Sequence, residues 1–296
     1  MAEESEDYLT TRELADLLRI KERKVYDLVA NNEVPCTRAT GKILFPRADI
    51  QRWLAASSNG DLVVRTIKQR PNVFLGSHDP LLEWALRESS CGLASYFDGS
   101  FDGLRRFKAH EGLASALHIY DENNLSWNVE AVRDLQIDDE VVLMEFCQRQ
   151  RGLISSSEPD HCVHSIKDLK GKTIAPRQLD AGSQPLLLSL LQASGLAEDD
   201  YHFSHPCRTE TEAVAAVFEG IADATLGLSG LASQYRLNFT PLIDERFDLL
   251  FSRKAWFSPA VQQFIQFCHA DIFKQRATQM PGYNVENFGV FHFNSE

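Results

Sequence analysis

Residues 8–55 read YLTTRELADLLRIKERKVYDLVANNEVPCTRATGKILFPRADIQRWLA. Thr10 or Thr11 stands just before an apolar-periodic run, with Glu13 close behind, which is an N-cap signal with a carboxylate in the first turn. Leu14, Leu17 and Leu18 repeat at helical spacing. Beyond Arg19 and Ile20 the pattern predicts a second helix from Glu22 to Asn31, with Val25, Leu28 and Val29 on one face. Lys21, Arg23, Lys24 and Tyr26 fall near its start, on the face that a recognition helix offers to a major groove. Val34, Pro35 and the basic run Thr37-Arg38-Ala39-Thr40-Gly41-Lys42 predict a hairpin wing, closed by Ile43, Phe45 and Pro46. Arg47 to Leu54 reads as a third helix with Trp53 as a core anchor. A merely solvated charged face would not explain the Gly-Lys hairpin and its aromatic closure.

Composition sets the wider bounds. A chain of 296 residues should hold two domains or more. Its 44% hydrophobic and 24% charged content is ordinary for a soluble protein, and no run reaches membrane-spanning length. The opening MAEESED is acidic and polar, so no signal peptide is expected, and the six cysteines show no CxxC pair. These features predict reduced thiols, a cytoplasmic location and no membrane partner. The net charge of -12 is unevenly distributed: residues 8–55 hold nine Lys and Arg against six Asp and Glu, leaving that segment basic on an acidic body. Phosphate attraction is local, so such a segment remains a plausible binder of double-stranded DNA. One module this small should bind weakly, which argues for a homodimer or higher homo-oligomer on a two-fold site.

The order "LTTRELADLL", "KVYDLV", "TGKILFPRADIQRWL" resembles the winged helix-turn-helix of the excisionase/MerR type. The resemblance spans residues 1–57 as a DNA-binding domain and implies a recognition helix in the major groove and a wing on the backbone. Its implied DNA contacts are Thr11, Arg12, Lys21, Arg23, Lys24, Tyr26, Arg38, Lys42 and Arg47.

Residues 58–70 shift composition and read as a linker, with Ser57-Ser58-Asn59-Gly60-Asp61 breaking the third helix. From residue 71 onward short apolar strands alternate with amphipathic helices, an α/β pattern of mostly parallel sheets. Predicted strands include 73–75, 93–97, 114–120, 141–147, 152–154, 171–175 and 224–228, with helices over 81–87, 103–109, 185–193 and 211–219. Three strand ends put a glycine and a serine before a helix: Gly76-Ser77, Gly99-Ser100 and Gly182-Ser183. Free N–H groups and hydroxyls at such turns make anion sites, and ligands of open α/β sheets collect at the carboxyl ends of strands. Each turn could equally be an ordinary one that never meets the others.

The stretches "GSHDPLL" (76–82), "DGSFDGL" (98–104), "ALHIYD" (116–121), "RQRGLI" (149–154), "DLKGKTIAPRQLDAGSQPLL" (168–187), "AVAAVFEGIADATLGL" (213–228), "ERFDLLFSR" (245–253) and "MPGYN" (280–284) resemble the periplasmic-binding-protein-like domain related to molybdate-binding proteins. Over 71–296 the resemblance implies two lobes of type II topology, ligand-linked closure, no catalysis and no cofactor. Carried over by position, Ser77, Asp79, Ser100 and the Gly182-Ser183 amides would line the cleft, with His118, Asp121, Arg149 and Arg177 as further candidates. Many family members read RQRGSGTR where this chain reads Arg177-Gln178-Leu179-Asp180-Ala181-Gly182-Ser183-Gln184, so a basic residue is replaced by Gln184. Molybdate or tungstate can be held by neutral donors alone. A small organic metabolite would more often use an arginine, which Arg149 or Arg177 could supply.

Rival chemistries have weaker signals. The clusters His161-Cys162-Val163-His164 and His202 to Cys207 fit no common zinc spacing, so no metal is expected. No GxSxG elbow, P-loop or dinucleotide GxGxxG is present. The expectation is a DNA-binding regulator whose cleft senses a small anion. An accessory protein of molybdenum-cofactor metabolism and an enzyme using the cleft are the alternatives.

Overall fold

The computed structural model describes residues 8–31, 33–39, 41–57 and 70–295. The chain divides into two units, Met1–Gln69 and Arg70–Glu296. Of the expected linker 58–70, all but Arg70 lies outside the described residues. Arg70 itself is buried in the second unit, its guanidinium bonded to Asp139 and to the carbonyls of Phe107 and Gly112.

In the first unit, β1 (Tyr8–Leu9), α1 (Thr11–Leu18), α2 (Glu22–Ala30), β2 (Thr37–Ala39), β3 (Lys42–Pro46) and α3 (Arg47–Ser57) follow in order. Thr10 caps α1 reciprocally. Its hydroxyl accepts from the Glu13 N–H at 3.3 Å, and the Glu13 carboxylate accepts from the Thr10 N–H at 2.8 Å. Arg19 takes the left-handed conformation, φ 54°, which ends α1 and turns the chain toward α2. β2 and β3 form the antiparallel wing, and β1 pairs with the other edge of β3. Leu14, Val25, Phe45 and Ile50 are fully buried and centre the core. Two readings are corrected here. Leu17 is 48% exposed because Ala15 takes the inward place beside Leu14. Ile50 is the central residue of α3, and Trp53 only packs against the margin of this core.

The second unit contains β4 (Val73–Gly76), α4 (Pro80–Glu88), β5 (Ala94–Phe97), α5 (Ser100–Lys108), β6 (Ala114–Leu117), the hairpin β7 (Tyr120–Asp121) and β8 (Ser126–Trp127), and α6 (Val129–Asp134). A long strand β9 (Val141–Ser155) leads to β10 (Thr173–Ala175), α7 (Ser183–Ala193), β11 (His202–Phe203), α8 (Glu210–Phe218), β12 (Ala224–Leu228) and α9 (Ser229–Tyr235). A second long strand β13 (Asn238–Ser252) returns, followed by α10 (Arg253–Trp256), α11 (Pro259–His269), α12 (Asp271–Thr278), β14 (Tyr283–Asn284) and β15 (Phe291–Asn294).

The sheet order is β11-β10-β12-β9-β13-β6-β4-β5. It contains two like halves. In each, the first strand of the half lies between its second and third, and β9 and β13 complete the sheet. The two long strands therefore run through both lobes, pairing antiparallel from Asn238↔Ser155 to Ser252↔Val141. The outer strands are parallel, but β9 and β13 are antiparallel to every strand beside them, which corrects the reading of mostly parallel sheets. The strands expected at 141–147 and 152–154 are one strand, because Gln148-Arg149-Gln150-Arg151 continues the ladder. Gly152 lies so close to β13 that a side chain there would meet the Thr240 carbonyl at 2.1 Å. An aromatic core of Phe74, Phe146, Phe247, Phe251, Phe264 and Phe273 backs the first lobe. Leu153, Ile174, Leu186, Leu187 and Leu226 fill the second, joined by Trp127 from the β7–β8 hairpin.

Candidate functional site

On the first unit, the apolar spacing of α2 turns Val25 and Val29 inward. Lys21, Arg23, Lys24 and Tyr26 are consequently exposed, Tyr26 by 51%. Arg12, Arg38, Lys42 and Arg47 are exposed as well, and Thr11 at the start of α1 is half-buried. The face holds cations, one aromatic ring and a basic wing, which together suit phosphate and base-edge contacts.

In the second unit, the three glycine–serine turns are brought together. Gly76 ends β4 at φ 99°, and a Cβ there would lie 2.2 Å from the Ala116 carbonyl, so only glycine can make the turn that points Ser77 inward. The Ser77 and Ser100 hydroxyls are 2.8 Å apart and buried. Ser100 Oγ also accepts from the His118 N–H at 3.1 Å. From the other lobe, Gly182 packs against the same point, its Cβ position 3.1 Å from Ser100 Oγ and 2.4 Å from the His118 carbonyl. Ser183 follows at the start of α7. Its hydroxyl is buried and meets no hydrogen-bond partner among the described residues.

Beside these hydroxyls runs a buried ladder of charge across the two long strands. Arg149 Nη1 donates to Asp79 at 2.7 Å, and Arg149 Nε donates to Glu245 at 2.6 Å. Arg151 also donates to Glu245 and, at 3.1 Å, to Glu210. Arg177 pairs with Glu210 at 3.0 Å and donates to the carbonyls of Cys207 and Arg208. Three arginines thus meet three carboxylates, and the ladder balances. His118 Nδ1 lies 3.0 Å from Glu245. Burial pushes the imidazole pKa down against the opposing pull of Glu245, and an Nδ1–H facing the carboxylate donates to it. Burial would raise Glu245, but Arg149 and Arg151 outweigh it and hold the carboxyl well below the usual range. Burial likewise opposes ionisation of Glu210, yet Arg151 and Arg177 bring it down to about 2.

The candidate residues therefore separate by position. Ser77, Ser100, His118, Gly182 and Ser183 converge. Asp79 is fully buried and committed: one oxygen caps α4 through the Leu81 and Leu82 N–H groups, and the other accepts from Arg149 and from Tyr283 Oη at 2.6 Å. Arg149 and Arg177 are committed to carboxylates of the chain itself. Asp121 lies apart, closing the β7–β8 turn by accepting from the Asn123 N–H and the Asn124 amide. Gln184 takes up the Arg177 N–H at 2.8 Å. Sequence reading missed Arg151, Glu210, Glu245 and Tyr283. A signal existed: Arg149 and Arg151 are two apart on a strand, and Glu245 begins the row Glu245, Phe247, Leu249, Phe251. Among the described residues no group of three or more His, Cys, Asp or Glu is placed to hold a metal ion. No described helix is long and apolar enough to cross a membrane.

The chain thus joins a winged helical unit to a two-lobed α/β unit in which the three glycine–serine turns meet between the lobes. A family model described as a helix-turn-helix domain matches residues 8–58, and one described as a PBP superfamily domain matches residues 83–269. The chain belongs to the PBP superfamily. It is similar to the uncharacterized protein YvgK of Bacillus subtilis (strain 168), 25% identical over 300 residues that cover 95% of this chain and 96% of that one. Among solved structures it is similar to the ancestral amino acid-binding protein AncCDT-1, a precursor of cyclohexadienyl dehydratase, with TM-score 0.50 and 12% identity over 70% of this chain and 93% of that one. The regulatory domain of MetR, a LysR family regulator from N. meningitidis, also has TM-score 0.50, with 10% identity over 72% of this chain and 97% of that one. At such identities these two likenesses concern the fold.

Proposed function

We propose that this chain is a one-component transcriptional regulator. Its winged helix-turn-helix binds operator DNA, and its cleft senses a small tetrahedral oxyanion, molybdate or tungstate. The observation that carries the ligand reading is the pairing of every arginine in the ladder with a carboxylate of the chain, beside the Ser77–Ser100 hydroxyl pair and the buried, unpartnered hydroxyl of Ser183 on the adjoining turn. An amino acid or other organic acid asks for an uncommitted guanidinium to meet its carboxylate. A compact dianion is satisfied by hydroxyls and N–H groups at helix starts. No catalytic role is assigned to the cleft.

Ser77→Ala and Ser100→Ala should each lower molybdate affinity about tenfold or more, since a hydrogen bond to a charged partner contributes about 1.5–3 kcal/mol. Calorimetry on the full chain reads this directly. Equal affinity in both variants and the parent would mean that the anion sits elsewhere.

The DNA half makes its own prediction. Arg23→Ala or Tyr26→Ala should weaken operator binding by about 1–3 kcal/mol if these side chains read base edges. Lys42→Ala on the wing should weaken all sequences alike and reduce the salt slope by about 1. We place two such modules on a two-fold site, since a single one offers few phosphate contacts. Mobility-shift titrations in which all three variants match the parent would remove the DNA-binding reading.

A further inference from the structure

We propose that two ion pairs on the cleft rim, Arg105–Asp180 and Arg208–Asp98, are positioning pairs that hold the Gly182-Ser183 turn against Ser100 and so set the affinity of the cleft. The inference rests on the reading of that cleft as the ligand site. Arg105, on α5 of the first lobe, grips both oxygens of Asp180 from the second lobe at 2.8 and 2.9 Å. Arg208, from the second lobe, meets both oxygens of Asp98 from the first at 2.8 Å. Gln178 adds its amide to the Asp98 carbonyl at 2.7 Å and to the Asp98 carboxylate at 3.0 Å. The two pairs cross in opposite senses, each lobe giving one arginine and one aspartate.

Between the pairs the backbones touch. The Phe101 N–H, in the first turn of α5, donates to the Asp180 carbonyl at 3.2 Å. Gly99, at φ 114°, leaves space for that carbonyl, which a Cβ would meet at 2.3 Å. Asp180 stands two residues before Gly182 and three before Ser183. Drawing Asp180 onto Arg105 therefore carries Gly182 to the His118 carbonyl and Ser183 to its buried place. The Arg105 hydrogen bond holds the Asp180 carboxyl below its usual range despite partial burial, in keeping with a persistent pair.

Both arginines are more than half exposed, so each pair alone is a weak contact. Their effect comes from acting in parallel on two facing turns, Asp180 leading into Gly182-Ser183 and Asp98 into Gly99-Ser100. Apparent affinity scales with the fraction of molecules whose turn is in the binding position.

The test is hydrogen exchange on the full chain without ligand, followed in segments 99–104 and 178–184. In the double variant Arg105→Ala/Arg208→Ala these segments should exchange about fivefold faster or more, while β6 is unchanged. The exchanged pair Arg105→Asp/Asp180→Arg should recover most of the protection. Molybdate affinity of the same proteins, read by calorimetry, should fall and recover in step. Unchanged exchange in the double variant, or a swapped pair no better than Arg105→Asp alone, overturns the proposal. If the parent takes up no molybdate, the ligand reading fails by itself and the exchange result still decides the role of the rim.

Discussion

Replacing Glu245 with glutamine should destabilise the second unit by about 3–5 kcal/mol, the cost of removing one partner from a buried ionic network. Glu245 is fully buried on β13 and touches Arg149, Arg151 and His118 at once. The substitution keeps the volume but leaves two buried guanidinium groups sharing Asp79 and Glu210. Because Arg177 also draws on Glu210, three arginines would then face two carboxylates in a buried place. Urea unfolding followed by tryptophan fluorescence measures the loss, because Trp84, Trp127 and Trp256 all belong to this unit. Glu111→Gln is the control: its pair with Arg106 lies at the surface, and its loss should cost less than about 1 kcal/mol. A Glu245→Gln variant as mild as the control would show that the ladder does not stabilise the fold.

Glu210 should make the second unit sensitive to acid. Its carboxyl is depressed from 4.5 to about 2 in the folded chain, so the folded state binds fewer protons than the unfolded one between those values. The stabilisation is complete above about pH 4.5 and disappears as the pH falls toward 2. Over that window the shift amounts to about 3 kcal/mol. Glu210 is also the first residue of α8, where the helix N-terminus favours a negative charge. Glu210→Gln should accordingly be less stable than the parent near pH 7, with the gap closing as the pH is lowered. Unfolding curves at pH 7 and pH 3 test this, and a gap that stays constant with pH would rule out the ion pairs as its cause.

The first unit was legible because its signals are local. The Thr10–Glu13 reciprocal cap, the break at Arg19 and the Gly41-Lys42 wing each lie within a few residues, and the hydrophobic period of α2 exposes its cations. Two of the glycine–serine turns were legible for a similar reason, since β4 and β5 turn beside another backbone where Gly76 and Gly99 take positive φ; Gly182, read as a strand end, instead lies seven residues beyond β10 in a helical conformation and is glycine because it packs against the His118 carbonyl. Their convergence was not legible from spacing, since Ser77 and Ser100 are 23 residues apart and Ser183 far beyond. The ladder was hidden altogether. Gln148-Arg149-Gln150-Arg151 interrupts the apolar run of β9 and reads as a surface segment, although both arginines are buried. Their partner Glu245 is 96 residues away from Arg149. Arg149 and Arg177 were expected to face an external anion for the same reason, because the carboxylates that take them up come from β13, α8 and the start of α4.

The most direct measurement for the sensor reading is the thermal unfolding of the full chain against a panel of molybdate, tungstate, sulfate, glutamate and arginine. A ligand present at 100 times its Kd adds about 2.7 kcal/mol of stability. Neutral hydroxyl and N–H donors with every ladder arginine already paired predict a rise in unfolding temperature with molybdate or tungstate and none with the two amino acids. A rise with glutamate or arginine, and none with any oxyanion, would contradict the account.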